Sequence, residues 1–163
     1  MVLRLVVVLP LLPLRHGDAF TLATWPLHLT LVPTFVVDLD LDAVVAVIQP
    51  ALARQSALLV TVGGDEGFGR AQRIPVSLIE DSSELIPLHH VLLDGLTAAG
   101  AAFDDPDFTG GGYRPHITMT RTARAHPGEL LRLGQATVVD MEPIGPTRLR
   151  RVAWAAPLAV AGS

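Results

Sequence analysis

Two short stretches of the sequence, HLTL at residues 28–31 and HITM at residues 116–119, combine a histidine and a threonine at the same spacing. In a β-strand alternate side chains point to the same face, so each histidine would share a face with its threonine. An imidazole with an ordinary pKa of about 6.5 can take or give a proton at neutral pH, and a hydroxyl can donate a hydrogen bond to a negatively charged oxygen. The repeated pattern therefore indicates acid–base chemistry carried by His28, Thr30, His116 and Thr118.

Chance and structural preference offer a competing interpretation of these stretches. One match is expected in roughly one chain in fifteen of this length, but two matches in only about one chain in several hundred. Each histidine could still be an edge or surface residue, with each threonine present for its strand propensity. Because a proline also precedes each histidine closely, Pro26 and Pro115, a functional pair is the favoured interpretation.

The elements that would position these residues are short strands separated by Gly, Pro or Asp. The strands are predicted at Leu3–Leu9, Leu27–Val32, Leu58–Val62, Pro75–Ile79, His116–Thr120, Thr137–Met141 and Arg148–Ala155. They indicate at least one mixed or antiparallel sheet. The apolar residues between the polar ones, Leu29, Leu31, Ile117 and Met119, are predicted to face the core.

Two helices are predicted, one in each half of the chain. Asp42 is the expected cap of a helix over about 43–54, which Pro50 should kink or shift. Its apolar side is formed by Val44, Val45, Val47, Ile48 and Leu52. Ser82 or Ser83 is the expected cap of the second helix, which ends at Gly100. Its leucines at 85, 88, 92 and 96 follow helical spacing.

Composition limits the classes of function. The chain of 163 residues fits a single domain, residues 1–163, and its lack of cysteine excludes disulfides and thiolate metal sites. The net charge of −4 disfavours binding along an extended phosphate backbone, whereas a small phosphate ligand could be held by a local arginine cluster. The apolar start around Arg4 contains two prolines and no typical cleavage site, so a buried first strand is favoured over a secretory signal.

Two glycine-rich connections are predicted, GGDEGFGR at residues 63–70 and FDDPDFTGGG at residues 103–112. The second leads directly into the second motif, as a mobile loop over a site would, although an ordinary long loop has the same composition. The first is not a phosphate-binding P-loop, because it lacks the terminal Lys and the Ser or Thr.

Together these motifs resemble the two-histidine (2H) phosphoesterases, which include the bacterial 2′-5′ RNA ligase and cyclic nucleotide phosphodiesterase group. RLVVVLPL resembles the family's opening strand, HLTL and HITM its two signatures, and GFG and IPVSL fall between them in the usual order. RPHIT followed by Arg121 is especially close to the second signature. The resemblance implies an α+β fold of two pseudo-symmetric lobes of antiparallel sheet with packed helices around a central cleft.

The resemblance also implies a reaction, the metal-independent opening of 2′,3′-cyclic phosphates on RNA ends or small nucleotides, or 2′-5′ ligation in reverse. His28 and His116, on opposite walls of the cleft, would share the roles of base and acid, and which residue takes which role is left open. Thr30 and Thr118 would hold the non-bridging phosphate oxygens. A binding module that uses the same cleft without turnover is the alternative, and a metal hydrolase is disfavoured because clustered His and carboxylate ligands are missing from the sequence pattern.

Further residues are candidates for substrate contacts. Arg114 shares a strand face with His116, whereas Arg121 has the opposite parity and would need a twist or bulge after Met119. Tyr113 is predicted to contact the substrate, and base stacking by Tyr113, Trp25 or Phe108 is weighed against a core position. His16, His89 and His90 are interpreted as loop, solvated or partly packed residues. The implied partner is an RNA end or small cyclic nucleotide, with no cofactor, metal or membrane, and we expect a cytoplasmic monomer.

Overall fold

Strands dominate the computed structural model of the protein, which describes residues 2–81, 83–105, 109–142 and 149–159. Within these residues there are ten β-strands and two α-helices. The strands are β1 (Leu3–Pro10), β2 (Ala19–Phe20), β3 (His28–Val37), β4 (Leu58–Phe68), β5 (Ile74–Ile79), β6 (Ala102–Phe103), β7 (His116–Thr118), β8 (Leu130–Leu133), β9 (Gln135–Asp140) and β10 (Arg150–Pro157). The helices are α1 (Leu41–Arg54) and α2 (Leu85–Ala98).

The strands form one curled antiparallel sheet in the order β2-β10-β9-β1-β3-β7-β5-β4-β8, with β6 pairing beside β3. The two strands that carry the repeated motif, β3 and β7, are neighbours at the middle of this order. The β3–β7 pair therefore joins two sides of the sheet, one formed by β1, β2, β3, β9 and β10 and the other by β4, β5, β7 and β8. The predicted α+β fold of two lobes is confirmed, and the lobes share a continuous sheet.

The alternation of side chains along the strands divides the apolar residues between two faces of the sheet. Both helices pack on one face, where residues such as Leu29, Leu31 and Ile117 are fully buried, as predicted. A smaller cluster lies on the other face and includes Val6 and Val8. Strand β1 is buried on both faces, which explains its nearly continuous apolar sequence.

The helices occupy the predicted regions, but both caps differ from the prediction. The side chain of Asp40, not Asp42, accepts a hydrogen bond from the Ala43 N–H (2.8 Å), and α1 runs without interruption through Pro50. An acidic residue two positions earlier thus satisfies the free N–H groups of the first turn. Glu84 precedes α2 without a side-chain cap, and the Ser83 N–H donates to Asp81 instead. Ser82 lies outside the described residues.

The end of α2 agrees with the sequence. Gly100 follows the helix with a φ of +98°, a conformation that favours glycine, and its N–H donates to the Thr97 carbonyl (3.0 Å). Four predicted leucines of this helix, at 85, 88, 92 and 96, are buried.

Several strand predictions need correction. The glycine-rich stretch 63–68 continues β4 and pairs with β5, because the missing side chains of glycine do not prevent backbone pairing. Strands β2, β6 and β8 were not predicted, and β7 ends at Thr118. The last strand begins at Arg150 in the structure, and residue 148 lies outside the described residues. Among the helices that the structure describes, none is long and apolar enough to cross a bilayer.

Candidate active site

The two repeated motifs lie side by side on adjacent antiparallel strands. Leu29 of β3 pairs with Ile117 of β7. Continuing this antiparallel register by one residue in each direction sets His28 opposite Thr118 and Thr30 opposite His116. Side chains directly opposite one another share a face of the sheet, with Cβ atoms about 5 Å apart. We expected the two histidines on opposite walls of a cleft. Instead they lie on adjacent strands and belong to one diagonal arrangement of four polar side chains.

The His28 ring is held by its backbone and by an aromatic stack. Its Nδ1–H donates to the carbonyl oxygen of Pro26 (2.9 Å). Its ring stacks on Trp25 at a centroid distance of 4.4 Å, and Trp25 also stacks on Phe20 at 5.2 Å. Because a carbonyl oxygen can only accept, the proton resides on Nδ1 in the neutral ring and leaves the Nε2 lone pair available.

The His116 ring is held in the same way on the neighbouring strand. Its Nδ1–H donates to the carbonyl oxygen of Arg114 (2.7 Å). The edge of its ring contacts Phe68 at a centroid distance of 4.5 Å, with the planes inclined by 61°. In this ring, too, Nε2 is the nitrogen left available for proton transfer.

The surroundings lower the pKa of both rings below the ordinary value. Burial is the main cause for His28, partly opposed by its hydrogen bond to Pro26 and reinforced by the charge of His116. Burial is also the main cause for His116, where the charge of Arg114 adds to it and the hydrogen bond to the Arg114 carbonyl opposes it. Desolvation disfavours the imidazolium form, so the neutral form of both rings persists to lower pH than it would in water.

A cavity of about 430 Å³ brings most of the predicted site residues together. Its walls include His28, Thr30, Tyr113, Arg114, His116 and Thr118, and also Val6, Trp25, Pro33, Thr34, Phe68, Gly69, Ile74, Asp104, Asp105 and Met141. Arginine and imidazole groups lie beside the two hydroxyls, an arrangement suited to a small anion with an apolar or aromatic substituent.

Arg114 lines this cavity, but its guanidinium group already forms an ion pair with a carboxylate. Its Nη1 is 2.6 Å from Oε2 of Glu66 on β4. Its guanidinium carbon lies 5.0 Å from the centre of the Phe68 ring, in cation–π contact. The positive charge next to His116 is thus already paired within the protein.

Arg121 lies outside the main cavity. Strand β7 ends at Thr118, and the chain turns between Thr120 and Ala123, where the Thr120 N–H donates to the Ala123 carbonyl (2.9 Å). This turn sets Arg121 in the wall of a neighbouring pocket, which shares Trp25, His28 and Thr118 with the main cavity. The turn therefore does not bring Arg121 into the main cavity beside His116.

The aromatic candidates are largely enclosed by the protein. Trp25 is partly buried and its ring already stacks on both His28 and Phe20, although it also lines the cavity. Tyr113 is 9% exposed, its ring stacks on His89 at 3.8 Å, and burial raises the pKa of its hydroxyl. Phe108 lies outside the described residues.

The other histidines divide into buried and peripheral positions. His89 is completely buried, contrary to the prediction of a solvated or partly packed residue, whereas its neighbour His90 is partly buried and His16 is exposed. Among residues 2–81, 83–105, 109–142 and 149–159, no three His, Cys, Asp or Glu side chains are grouped closely enough to hold a metal ion.

A comparison with family models decides the relationship. The model described as 2′-5′ RNA ligase superfamily matches residues 12–133, well over half of the chain, and both motifs lie within the match. The chain belongs to the 2′-5′ RNA ligase superfamily. The two-histidine phosphoesterase resemblance of its sequence is confirmed at the level of the family. No curated protein matches the sequence significantly.

Solved structures share the fold of this superfamily member. E. coli LigT complexed with 3′-AMP aligns with a TM-score of 0.60 and 17% identity, over 98% of this chain and 99% of LigT. LigT complexed with NADP⁺ aligns with a TM-score of 0.61 and 16% identity, over 96% of this chain and 98% of LigT. TT0787 of Thermus thermophilus aligns with a TM-score of 0.54 and 18% identity, over 97% of this chain and 99% of TT0787. At these identities the similarity establishes the fold.

Two residues of this 2′-5′ RNA ligase superfamily member were missed as site components. Phe68 contacts both His116 and Arg114, and its position at the end of a glycine-rich stretch suggested only a loop. His89 contacts Tyr113 from the helix side of the sheet. The helical spacing of the α2 leucines places His89 next to Leu85, Leu88 and Leu92, and this spacing was the available signal of its burial.

Proposed function

We propose that the protein is a metal-independent phosphoesterase that opens 2′,3′-cyclic phosphates on RNA ends or small nucleotides. The observation that carries this proposal is the diagonal arrangement of His28, Thr30, His116 and Thr118 in the wall of a cavity. Two imidazoles with available Nε2 atoms supply a base and an acid, and two hydroxyls supply donors for the phosphate oxygens.

The proposed hydrolysis needs two proton transfers. One histidine takes a proton from water as the water oxygen forms a bond to phosphorus. The bond from phosphorus to one ribose oxygen breaks, and the other histidine gives its proton to that oxygen. The product is a nucleotide phosphomonoester, and the pair of rings ends with the protonation states exchanged. With the 5′-hydroxyl of a second RNA in place of the attacking water, the same groups would support 2′-5′ ligation. The hydroxyl oxygen then bonds to phosphorus as the bond from phosphorus to the 3′ oxygen breaks, and the 3′ oxygen takes the proton of the acid.

The threonines stabilise the negative charge that develops on phosphorus oxygens. Each hydroxyl lies opposite the histidine of the other strand, so a phosphate between the two Nε2 atoms is within reach of both. Donors fixed before the reaction need no reorganisation as charge builds up, which is why such groups lower the barrier.

The arginine and the apolar walls of the cavity can both contact a nucleotide substrate. Arg114 can turn from Glu66 to a phosphate oxygen, and the apolar walls at Phe68 and Ile74 can accept the less polar parts of a nucleoside. Structures of the similar LigT contain 3′-AMP and NADP⁺, both of which carry phosphate on ribose. We further propose that the protein works as a cytoplasmic monomer on an RNA end or small cyclic nucleotide.

The decisive experiment measures turnover of 2′,3′-cyclic nucleotides and of RNA with a 2′,3′-cyclic phosphate end, in the presence of a chelator. We expect turnover by the wild type, and a loss of roughly 100- to 10,000-fold in His28→Ala and His116→Ala. His16→Ala is the matched control, because this histidine is exposed and does not line the cavity, and it should retain activity.

Three outcomes would contradict the proposal. Full activity of both cavity variants would show that the imidazoles are not the acid and base. Tight nucleotide binding without product across the whole panel would favour a binding module. Loss of activity on chelation, restored by added metal, would favour a metal hydrolase.

A further inference from the structure

His89 is a buried polar side chain whose two ring nitrogens are both used. Its Nδ1–H donates to the Leu31 carbonyl oxygen of β3 (2.8 Å). Its Nε2 accepts a hydrogen bond from the Gly110 N–H (2.9 Å). A neutral imidazole offers one donor and one acceptor, so these two partners fix both its tautomer and its charge. The reaction proposed above does not use this residue.

Tyr113 extends this contact to the catalytic face. Its ring lies parallel to the His89 ring, at 3.8 Å and an interplanar angle of 7°. Its hydroxyl donates to the carbonyl oxygen of Thr30 (2.8 Å). His89 and Tyr113 together bind two consecutive carbonyl groups of β3, those of Thr30 and Leu31.

This part of β3 needs such partners because its pairing is interrupted. On one edge β3 pairs with β7 at Leu29 and next with β6 at Phe35. On the other edge the register shifts between Val7 and Val8 of β1, which makes Leu31 an extra residue. Buried carbonyl groups without a strand partner must be satisfied by other donors. The Leu31 carbonyl, at the extra residue, receives its hydrogen bond from His89, and Tyr113 adds a donor to the neighbouring Thr30 carbonyl.

We propose that His89 is a positioning residue of the active site, which clasps the segment 110–113 to β3 at Thr30 and Leu31. We call the group of His89, Gly110, Tyr113, Thr30 and Leu31 the His89 clasp. One end of the clasp is at Thr30, the threonine of the first motif. The other end is Tyr113, which directly precedes Arg114 and the second motif.

The clasp sets the distance between the two motifs on the side where β7 has not yet begun. The β3–β7 ladder alone joins the motifs through the Leu29–Ile117 pair, in a strand of only three residues. The approach to His116 runs through Tyr113 and Arg114, and the Arg114 carbonyl is what orients the His116 ring. A loose segment 110–113 would therefore misplace both the His116 ring and Thr30.

The inference rests on the proposed function for its kinetic consequence, because a shift of about 1 Å in a catalytic group can cost on the order of 100-fold in rate. The contact itself does not depend on that function. The experiment therefore combines kinetics with a measurement of the segment that needs no substrate.

Three variants divide the clasp into its parts. His89→Phe keeps an aromatic ring against Tyr113 but removes both hydrogen bonds. His89→Gln brings an amide oxygen to the position of Nε2, so it can still accept from Gly110. Tyr113→Phe keeps the stack and removes only the donor to Thr30. Leu96→Ala is the control, because it removes buried volume from the same helix and belongs to the helix-side core.

Hydrogen exchange over 109–114 and steady-state kinetics are then measured well below the melting temperature of each variant. In His89→Phe we expect exchange of the segment to be about tenfold faster and kcat to fall roughly 10- to 100-fold, with KM within about threefold of the wild type. Tyr113→Phe should lower kcat with a smaller change in exchange, and His89→Gln should recover part of both losses. Leu96→Ala should lower the melting temperature and leave kcat unchanged.

The outcomes separate this inference from the proposed function. If the wild type turns over no cyclic phosphate, the proposed function fails. The clasp is then judged by hydrogen exchange over 109–114 and by the binding of inorganic phosphate, which is monitored through the NMR signals of His28 and His116. Faster exchange with weaker phosphate binding in His89→Phe would then support the clasp. Unchanged exchange in His89→Phe, or faster exchange with unchanged kcat in an active enzyme, overturns it.

Discussion

His28 and His116 hold their rings by the same local contact, an Nδ1–H bond to the carbonyl oxygen two residues earlier. The acceptors are Pro26 at 2.9 Å and Arg114 at 2.7 Å. Each histidine begins its strand, so the preceding residues are free to turn a carbonyl toward the ring. The result is the same tautomer at both positions, with the two Nε2 atoms free for proton transfer.

The lowered pKa of both rings predicts an acidic optimum. We expect kcat/KM for a 2′,3′-cyclic nucleotide to peak below about pH 6.5, because one ring must be protonated to act as the acid and its pKa lies below the ordinary value. As pH rises above that pKa, the fraction of enzyme with a protonated acid falls. As pH falls, the base becomes protonated.

The profile of kcat should extend to higher pH than that of kcat/KM. A bound phosphate is negatively charged and favours the imidazolium form, which raises both pKa values in the complex. Initial rates between about pH 4.5 and 9, at low and saturating substrate, test this directly. An optimum of kcat/KM above pH 8 would contradict the environment described for the two rings.

The two histidines should also influence each other's titration. The charge of His116 contributes to the lowered pKa of His28, so His116→Asn should raise the pKa of His28, measured by NMR. His16→Asn is the control, since His16 is exposed. An unchanged His28 pKa in His116→Asn would mean that the two rings are too far apart to act on one phosphate.

The parts of this site that follow from local sequence were predictable. The two-residue spacing placed His28 with Thr30 and buried Leu29 and Leu31 on the other face, because the direction of side chains along a strand is a local property. Leucines at helical spacing identified α2 in the same way. The end of α2 was predictable because glycine readily adopts the positive φ that Gly100 has in the structure. The family resemblance supplied the remaining step, the presence of a cleft.

Features that depend on contacts between distant segments were not predictable. The pairing of β3 with β7 and the burial of His89 against Leu31 and Gly110 join residues far apart in the sequence. Local signals also gave a wrong helix cap where two neighbouring residues could both act as the cap. Asp40 and Asp42 are both good caps, and only the path of the chain into α1 decides between them.

The two threonine hydroxyls should contribute separately to the rate. Replacement of Thr30 or Thr118 by valine keeps the shape of the side chain and removes the donor to the phosphate, so kcat should fall roughly 100-fold in each. Serine keeps the hydroxyl and is the control at both positions. Steady-state kinetics that give valine and serine variants equal kcat would remove the threonines from the mechanism.

We expect the carboxylate of Glu66 to weaken substrate binding in the native protein, because it neutralises the positive charge of Arg114 in the cavity. Its carboxylate is paired with Arg114 at 2.6 Å, so a phosphate must compete with it. Glu66→Gln is expected to lower KM, or the Kd for inorganic phosphate, by about two- to tenfold at low ionic strength, and by less in high salt.

The neighbouring carboxylate provides a matched control for Glu66. Asp65 accepts hydrogen bonds from both terminal nitrogens of Arg124, which lies outside the lining of the main cavity. Asp65→Asn should therefore leave KM unchanged. Titration calorimetry with phosphate that shows equal affinity for Glu66→Gln and the wild type would mean that Arg114 does not contact the anion.

Gly67 should be needed for the hairpin that carries Phe68. A Cβ at Gly67 would overlap the carbonyl oxygen of Gln72, whereas a Cβ at Gly64 on the same strand would meet open space. Gly67→Ala is expected to lower the free energy of unfolding by about 1–3 kcal/mol, because the turn must move to relieve the overlap. Gly64→Ala should change it by less than about 1 kcal/mol. Urea unfolding of both variants gives the comparison, and equal stabilities would contradict the close approach of Gly67 to Gln72. Because Phe68 directly follows Gly67 and contacts His116, we expect Gly67→Ala also to reduce kcat at temperatures where the variant is fully folded.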